Sequence, residues 1–409
     1  ANILFYKVNN VNFFKKTFYL FKSFLYLDEY GLAKSIGCKS FIFPNVKIGN
    51  NQLKKKIINQ IKTKEDILNI KIKNINVGDL FYDEYLYSND LPTINIKDIN
   101  FKKFILSSID LFLFWYELIE PKNIKSVIIS HATYFKGIPG RIAIAKKIPC
   151  YNVSNNFSYY LNKKYLRRPS DFDQSPKLFH KIPKNSSKLY LNEAKKTIIK
   201  NFIGSKTSNF KTKNKNKKKF SPRVLIASHC FTDAVHIHGK NIFTDYYDWI
   251  KFLGKISEKL DYNWYIKIHP SEYDNNINKM LKITYQFAKL RILPKNSDNK
   301  KLIKNIDYVL TIYGSVAREY PIFNIPVINA SNNGPYHAYK FCENASSLKE
   351  YKKLILNIKK IFVKKNEIKK VYEFYSIRYL LDFYFLGLHN GLKINKIFNN
   401  DKSSEYLSF

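Results

Sequence analysis

Acidic residues are scarce in this chain. Asp and Glu number 32 against 70 Lys and Arg, which leaves a formal net charge of +38 over 409 residues. An excess of that size points either to an acidic partner (nucleic acid, anionic membrane or a phosphate-bearing substrate) or to composition alone. The chain is crowded with Lys, Asn, Ile, Tyr and Phe and poor in Gly and Arg, the pattern AT-rich coding favours. Most of the excess is assigned to that bias, yet a positive surface attracts phosphates whatever its origin. Glycine is rare, and no glycine-rich GxGxxG fingerprint occurs. The four cysteines, Cys38, Cys150, Cys230 and Cys342, are far apart and form no CxxC pair. That argues against a disulfide framework or a zinc ribbon and fits a reducing compartment. The start, ANILFYKVNN, lacks an initiator Met and the basic-then-apolar pattern of a signal peptide, so a trimmed start and no leader are expected. Long apolar runs are missing too. The strongest, Phe104–Ile119, falls short of the ~20 residues a spanning helix needs and carries Asp110 and Glu117. It reads as a buried helix. A cytoplasmic protein is expected, any membrane contact being peripheral, on the inner face of the cytoplasmic membrane. No helix-turn-helix, RNP or zinc-finger pattern is present, so no nucleic-acid partner is expected, although a basic nucleic-acid-binding protein is the alternative from a different class.

What is present fits two domains. The length exceeds one ordinary core, and hydrophobic residues make up 45% of the chain, enough to fill two. The sharpest break in composition is GSKTSNFKTKNKNKKKFSPR, polar, basic and without apolar periodicity, which reads as a linker. The expected division is 1–203 for a first domain, 204–223 for the linker, 224–347 for a second domain and 348–409 for a helical extension. After the linker, apolar strands alternate with helices: VLIAS, WYIKIHP, RILP, YVLTI and IPVINA, separated by amphipathic stretches. That alternation predicts a doubly wound α/β domain, a parallel sheet with helices on both faces. Before the linker, SVIIS, GRIAIAKKI and PCYNV make one βαβ unit, and IGCKSFIFP reads as a further strand. The fold class expected is therefore α/β with two Rossmann-like domains and a helical C-terminal tail.

In open α/β sheets, ligands sit beyond the carboxyl ends of the strands. Three loops of the second domain are placed there. His269 and Pro270 follow WYIKI, where an imidazole can bind a phosphate oxygen or merely cap the strand. Gly314 and Ser315 follow YVLTI: Gly314 permits a tight turn, and Ser315 with the first-turn N–H groups makes an anion site. Glu319, one turn on, is placed to accept bonds from ribose hydroxyls; as plainer readings, Ser315 is an N-cap and Glu319 a surface carboxylate. The loop SHCFTDAVHIHGK carries His229, Asp233, His236 and His238. A His-x-His pair beside an Asp invites a zinc reading, but no third and fourth ligand stand at matching spacing. Contact with a nucleotide's phosphates is the better reading of His229, Asp233 and His236. No Asp-x-Asp stands in a sugar-nucleotide context, so no metal and no cofactor are expected. The first domain then supplies the acceptor site and a base. Asp79 and Asp83 in VGDLFYDEYL and His131 after SVIIS are the candidates, Asp79 weighed equally as an N-cap. Arg141, near a helix start where the dipole disfavours a cation, is expected to meet an anion or acceptor, or to pair with an acid.

These runs resemble a known class. TIYGSVAREYPIFNIPVINA is similar to the segment closing the donor site in GT-B glycosyltransferases of bacterial capsule and surface polysaccharide synthesis. WYIKIHP resembles their His-Pro motif, shared with Kdo transferases and bacterial sialyltransferases. VGDLFYDEYL and HATYFKGIPGRIAIAKKIPCYNV resemble segments of the first domain in such proteins. The resemblance spans roughly Lys71–Ala330, and the Gly-Ser turn differs in carrying a single serine. It implies a GT-B fold and a transferase that moves a sugar from a nucleotide-activated donor, a CMP-sugar in keeping with the His-Pro motif, to a growing polysaccharide or glycolipid. It implies that His269 and Ser315 contact the donor phosphates, that Glu319 lies near the nucleotide, and that an acid of the first domain, Asp79, is the base. A glycerophosphate-type transferase and a sugar-nucleotide 2-epimerase are the alternatives on the same plan.

Overall fold

The computed structural model describes residues 3–6, 12–35, 37–44, 50–153, 158–167, 173, 175–203, 221–270 and 273–380. The expected linker, over 204–220, and the tail beyond residue 380 lie outside the described residues.

Its largest element is a six-stranded sheet. From one edge to the other run Leu290–Ile292, Asn263–Lys267, Arg223–Ala227, Tyr308–Thr311, Val327–Asn329 and Glu343–Asn344. Every neighbouring pair is parallel. Numbered along the chain, the strand order is 3-2-1-4-5-6, that of a doubly wound dinucleotide-type fold. The sequence sets this up through strands apolar on both faces. Val224 and Ile226 join one buried cluster with Trp264, Ile266 and the Trp249, Ile250 and Leu253 face of the Tyr246–Ser257 helix. Leu225 and Ala227, pointing the other way, join a second cluster with Leu302, Ile303, Ala317, Tyr320 and Phe323. Helices therefore cover both faces, as the alternation predicts.

The first half is also mixed α/β, but its described strands are divided among three small sheets. Val127–Ile129 and Cys150–Val153 pair in parallel across the Ile138–Ala145 helix, forming the expected βαβ unit. Ser158–Leu161 adds to it antiparallel. Ile3–Tyr6 pairs with Cys38–Ile42, and a hairpin joins Lys71–Ile72 to Ile75–Asn76. Much of the remaining core is helical. The Ile99–Leu118 helix buries Phe101, Ile105, Ile109, Phe112 and Trp115, and its Asp110 is neutralised by Lys54 at 2.6 Å. Among the described residues, no helix is long and apolar enough to cross a membrane.

The tail is helical at Leu348–Leu356 and Lys365–Tyr375. Val371 and Phe374 of the second of these helices share the outer cluster with Ile198 from the Lys184–Ile203 helix. A boundary at residue 203 thus assigns that helix to the first unit by chain order, while its apolar end is packed in the core of the second.

Candidate active site between the two halves

The strand order reverses between Arg223–Ala227 and Tyr308–Thr311, and in open parallel sheets the ligand crevice lies beyond the carboxyl ends of the strands at such a reversal. The loops leaving these two strands meet there. His229 stacks on Tyr246 with ring centroids 4.6 Å apart and planes within 9°. Its Nε2 lies 3.2 Å from Thr311 Oγ1, which also accepts a bond from the Gly314 N–H. Burial, and then the proximity of His269, push the His229 imidazole down to about 3, so it is neutral at pH 7. A Cβ at Gly314 would stand 2.8 Å from Thr311 Oγ1 and 3.5 Å from His229 Cε1. Glycine is required here by close approach rather than by an unusual φ. Gly314→Ala should displace Thr311, cost about 1–3 kcal/mol of stability in urea titrations, and weaken any ligand that uses His229.

His229 also sets a pH dependence. Its folded pKa lies below the ~6.5 of a free imidazole, so the unfolded chain binds more protons between the two values. The contribution of neutral His229 is whole above about pH 6.5 and is lost as pH falls toward 3. His229→Asn should therefore lose less stability than the parent between pH 7 and pH 4.5, read as the shift in urea midpoint; equal losses would contradict the assignment.

A polar rim with one lysine follows the neighbouring strand. Lys267 ends the neighbouring strand and bonds Asn299 Oδ1 at 2.5 Å, its pKa lowered by burial against the pull of Glu319 and Asp298. His269 and Pro270 follow it, both exposed. Ser315 is exposed, and its hydroxyl bonds the Glu319 carboxylate. Burial raises the Glu319 pKa against Arg318, that hydroxyl and Lys267. The anion site expected at Ser315 is narrower than a helix N-terminus would give. The helix Val316–Glu319 is a single turn that continues as the 3-10 segment Tyr320–Phe323, and Ser315 makes no side-chain capping bond. Two nearby N–H groups are already committed, Ala317 to Gly314 O and Arg318 to Ser315 O.

The first half reaches the crevice through one helix, Gly78–Asn89. Residues Gly78 to Leu86 are all buried, as expected for a helix enclosed on every side. Gly78 starts it because a Cβ there would fall 1.8 Å from the Ile67 carbonyl oxygen. Asp83 and His236, which the sequence places in separate roles, are brought together from opposite halves. Asp83 Oδ1 lies 2.6 Å from His236 Nδ1, and Asp83 Oδ2 accepts the His236 backbone N–H at 3.2 Å. Both residues are 2% exposed. Burial raises the Asp83 pKa, against the pull of His236. A carboxylate on Nδ1 fixes the proton there and leaves the Nε2 lone pair as the basic site. That Nε2 is buried and has no hydrogen-bond partner among the described residues. An unsatisfied buried polar atom costs about 1–3 kcal/mol and calls for an explanation.

Other groups surround this pair. Tyr82 packs edge-on against His236 at 5.2 Å and donates to Asp245 at 2.6 Å. Asp245 also accepts from Thr93 at 2.6 Å and Lys64 at 3.1 Å, tying the halves together. Tyr134 donates to the Thr232 carbonyl at 3.2 Å across the same seam. Its φ of 55° with ψ of −164° is strained for a tyrosine, a feature that concentrates at functional sites. Burial first, then Asp83 and Asp233, raise its hydroxyl pKa, which places it near both carboxylates. Sequence reasoning passed over Tyr134, Tyr82, Asp245 and Thr311. The positive φ of Tyr134 leaves no mark in composition, and the others are recognisable only by long-range pairing.

Asp79 and Arg141, each read two ways in the sequence, meet each other. Asp79 does not have the environment of a base. Arg141 holds it bidentately at 2.9 and 2.6 Å, and Arg167 Nε adds a bond at 2.7 Å. Burial alone would raise its pKa, but Arg141 and Arg167 outweigh it and hold the carboxyl well below the usual range. Nor is Asp79 an N-cap, since that position belongs to Val77. Arg141, 3% exposed, meets its anion inside the protein, in Asp79, and also donates to the Asn76 carbonyl at 2.8 Å. It is not available to an acceptor. His131 is exposed on one side, its pKa lowered by partial loss of solvent and by Lys136. Asp233 is exposed in the loop that carries His236. Among the described residues, no group of three or more His, Cys, Asp or Glu side chains is placed to hold a metal ion.

No protein-family model matches the chain, and no curated protein matches it. Among solved structures it is similar to the beta Kdo 2,4 transferase KpsC of Thermosulfurimonas dismutans, at 13% identity and a TM-score of 0.40 over 64% of this chain and 81% of that one. It is similar to a UDP-GlcNAc 2-epimerase of Neisseria meningitidis bound to UDP-GlcNAc, at 11% identity and a TM-score of 0.27 over 98% and 92%. It is also similar to MnaA of S. aureus in complex with UDP, at 12% identity and a TM-score of 0.31 over 87% and 95%. At identities and TM-scores this low, the functional reading rests on the chain's own residues.

Proposed function

We propose that this chain is a cytoplasmic glycosyltransferase. It moves a sugar from a nucleotide-activated donor, a CMP-sugar by resemblance, to a hydroxyl of a surface polysaccharide or glycolipid, without a metal. The observation that carries the reading is the Asp83–His236 pair, whose basic Nε2 has no partner and lies in the seam beside the switch point of a parallel sheet. His236 is 2% exposed, so the proposal requires the seam to open before Nε2 takes the proton of the acceptor hydroxyl. The acceptor oxygen bonds to the anomeric carbon, the bond from that carbon to the phosphate oxygen breaks, and the electron pair leaves on the phosphate. Lys267, His269 and Ser315 stabilise the charge that develops there. Glu319 takes the nucleotide's ribose, and His229 and Thr311 line the floor between them. Asp79 and Arg141 hold the shape of the helix that delivers Asp83.

The test is release of free nucleotide from CMP-, UDP- and GDP-activated sugars, with and without a glycan acceptor. Turnover of one nucleotide class, stimulated by acceptor, supports the proposal. Interconversion of the sugar with no nucleotide released would instead identify an epimerase.

A further inference from the structure

The Phe13–Phe24 helix turns its most apolar side outward. Phe13, Phe14, Phe18, Phe21, Phe24 and Leu25 recur at spacings of one, three and four, which is one face at 3.6 residues per turn. Phe14 is 82% exposed, Phe13 76% and Phe24 70%. The opposite side is the one that packs: Ser23 is buried, and Tyr19 stacks on Tyr30 at 4.8 Å and on Phe43 at 6.0 Å. The apolar face is thus not turned inward by the fold, and it is far larger than scattered surface residues would give.

Its chemistry selects the occupant. The helix FFKKTFYLFKSF contains three lysines and no acid. Lys15, Lys16 and Lys22 fall beside the aromatic face, between it and the packed side. The Lys22 ammonium lies 4.9 Å from the Phe18 ring centre and pairs with Asp28 at 2.5 Å. The one polar side chain within the face, Thr17, returns its hydroxyl to the Phe13 carbonyl at 3.1 Å. No group on that face asks for a directional partner, as a protein interface would supply. An aromatic face flanked by lysines, on a helix anchored by its other side, matches insertion into the headgroup boundary of an anionic bilayer. We propose that Phe13–Phe24 is a membrane-docking helix that seats the chain on anionic lipid. This is independent of the nucleotide site, and its test reads lipid binding rather than turnover.

The experiment is flotation of the full chain with phosphatidylcholine vesicles, alone or with about one part in three phosphatidylglycerol. The chain should float with the anionic vesicles and poorly with the neutral ones. Phe14→Ser with Phe21→Ser leaves the charge unchanged and alters only exposed positions, so thermal midpoint and oligomeric state should not move. It should weaken binding by at least about tenfold. Three results would overturn the proposal: no flotation of the parent chain; flotation unchanged by the double substitution, which would assign it to the net charge alone; or a parent dimer that the substitution dissociates, which would make the face an interface between copies.

Discussion

Asp83→Asn should lower turnover by about 10²–10⁴-fold while leaving nucleotide affinity within a factor of a few. The carboxylate accepts the Nδ1 proton of His236 at 2.6 Å and thereby keeps Nε2 basic. An amide can offer a donor to the same nitrogen, which reverses the tautomer and removes the lone pair from the reacting side. The loss should appear in kcat and not in the donor KM, because the proposal moves His236 from the phosphate contact expected of it to the acceptor side. His236→Gln should give a loss of the same order, and the double substitution little more than either alone. A structural reading predicts otherwise. If the pair only fastens the two halves, both variants will be destabilised, and activity per folded molecule will be unchanged.

Asp79→Ala should destabilise the fold by about 3–5 kcal/mol, because it leaves the buried Arg141 guanidinium without its counter-charge. Arg167, 22% exposed at its side chain, can turn to water, so the cost falls mainly on Arg141. Replacing the pair together, Asp79→Leu with Arg141→Met, should recover much of the loss, since an apolar pair of similar volume is often neutral. Urea unfolding of the single and double variants measures this directly. Full stability with abolished turnover in Asp79→Ala would restore Asp79 as the base and remove His236 from that role.

The second half was legible from sequence because its strands are short apolar runs between amphipathic helices. VLIAS, WYIKI, YVLTI and IPVINA each became a parallel strand. Their order was not legible, since periodicity records which face a residue takes and not which strand lies beside it. The first half was harder for the same reason. Its βαβ unit could be read from SVIIS and PCYNV, but Cys38–Ile42 pairs with Ile3–Tyr6, far back along the chain, and Ser158–Leu161 folds back antiparallel on the strand just before it, which the βαβ pattern does not announce.

The site follows the same rule. The loops after the strands placed His229, His269, Gly314 and Ser315 correctly at the carboxyl edge, because that is a property of position along the chain. Asp79 and Asp83 lie one turn apart on one helix; residue type and spacing do not separate them, and the resemblance pointed to Asp79. What separates them is partners: two guanidiniums from the first half for Asp79, and an imidazole 153 residues away for Asp83.

The most direct test of the account is nucleotide binding at the crevice, read as a shift in the thermal midpoint with CMP, UDP, GDP and ADP, for the parent chain and for His269→Ala. A ligand that binds only the folded chain raises the midpoint, by about 2.7 kcal/mol of stabilisation at one hundred times its Kd. The account predicts a selective shift with one nucleotide, lost in His269→Ala. Small, equal shifts with all four, unchanged by the substitution, would show that a chain of net charge +38 merely attracts anions, and would contradict the site.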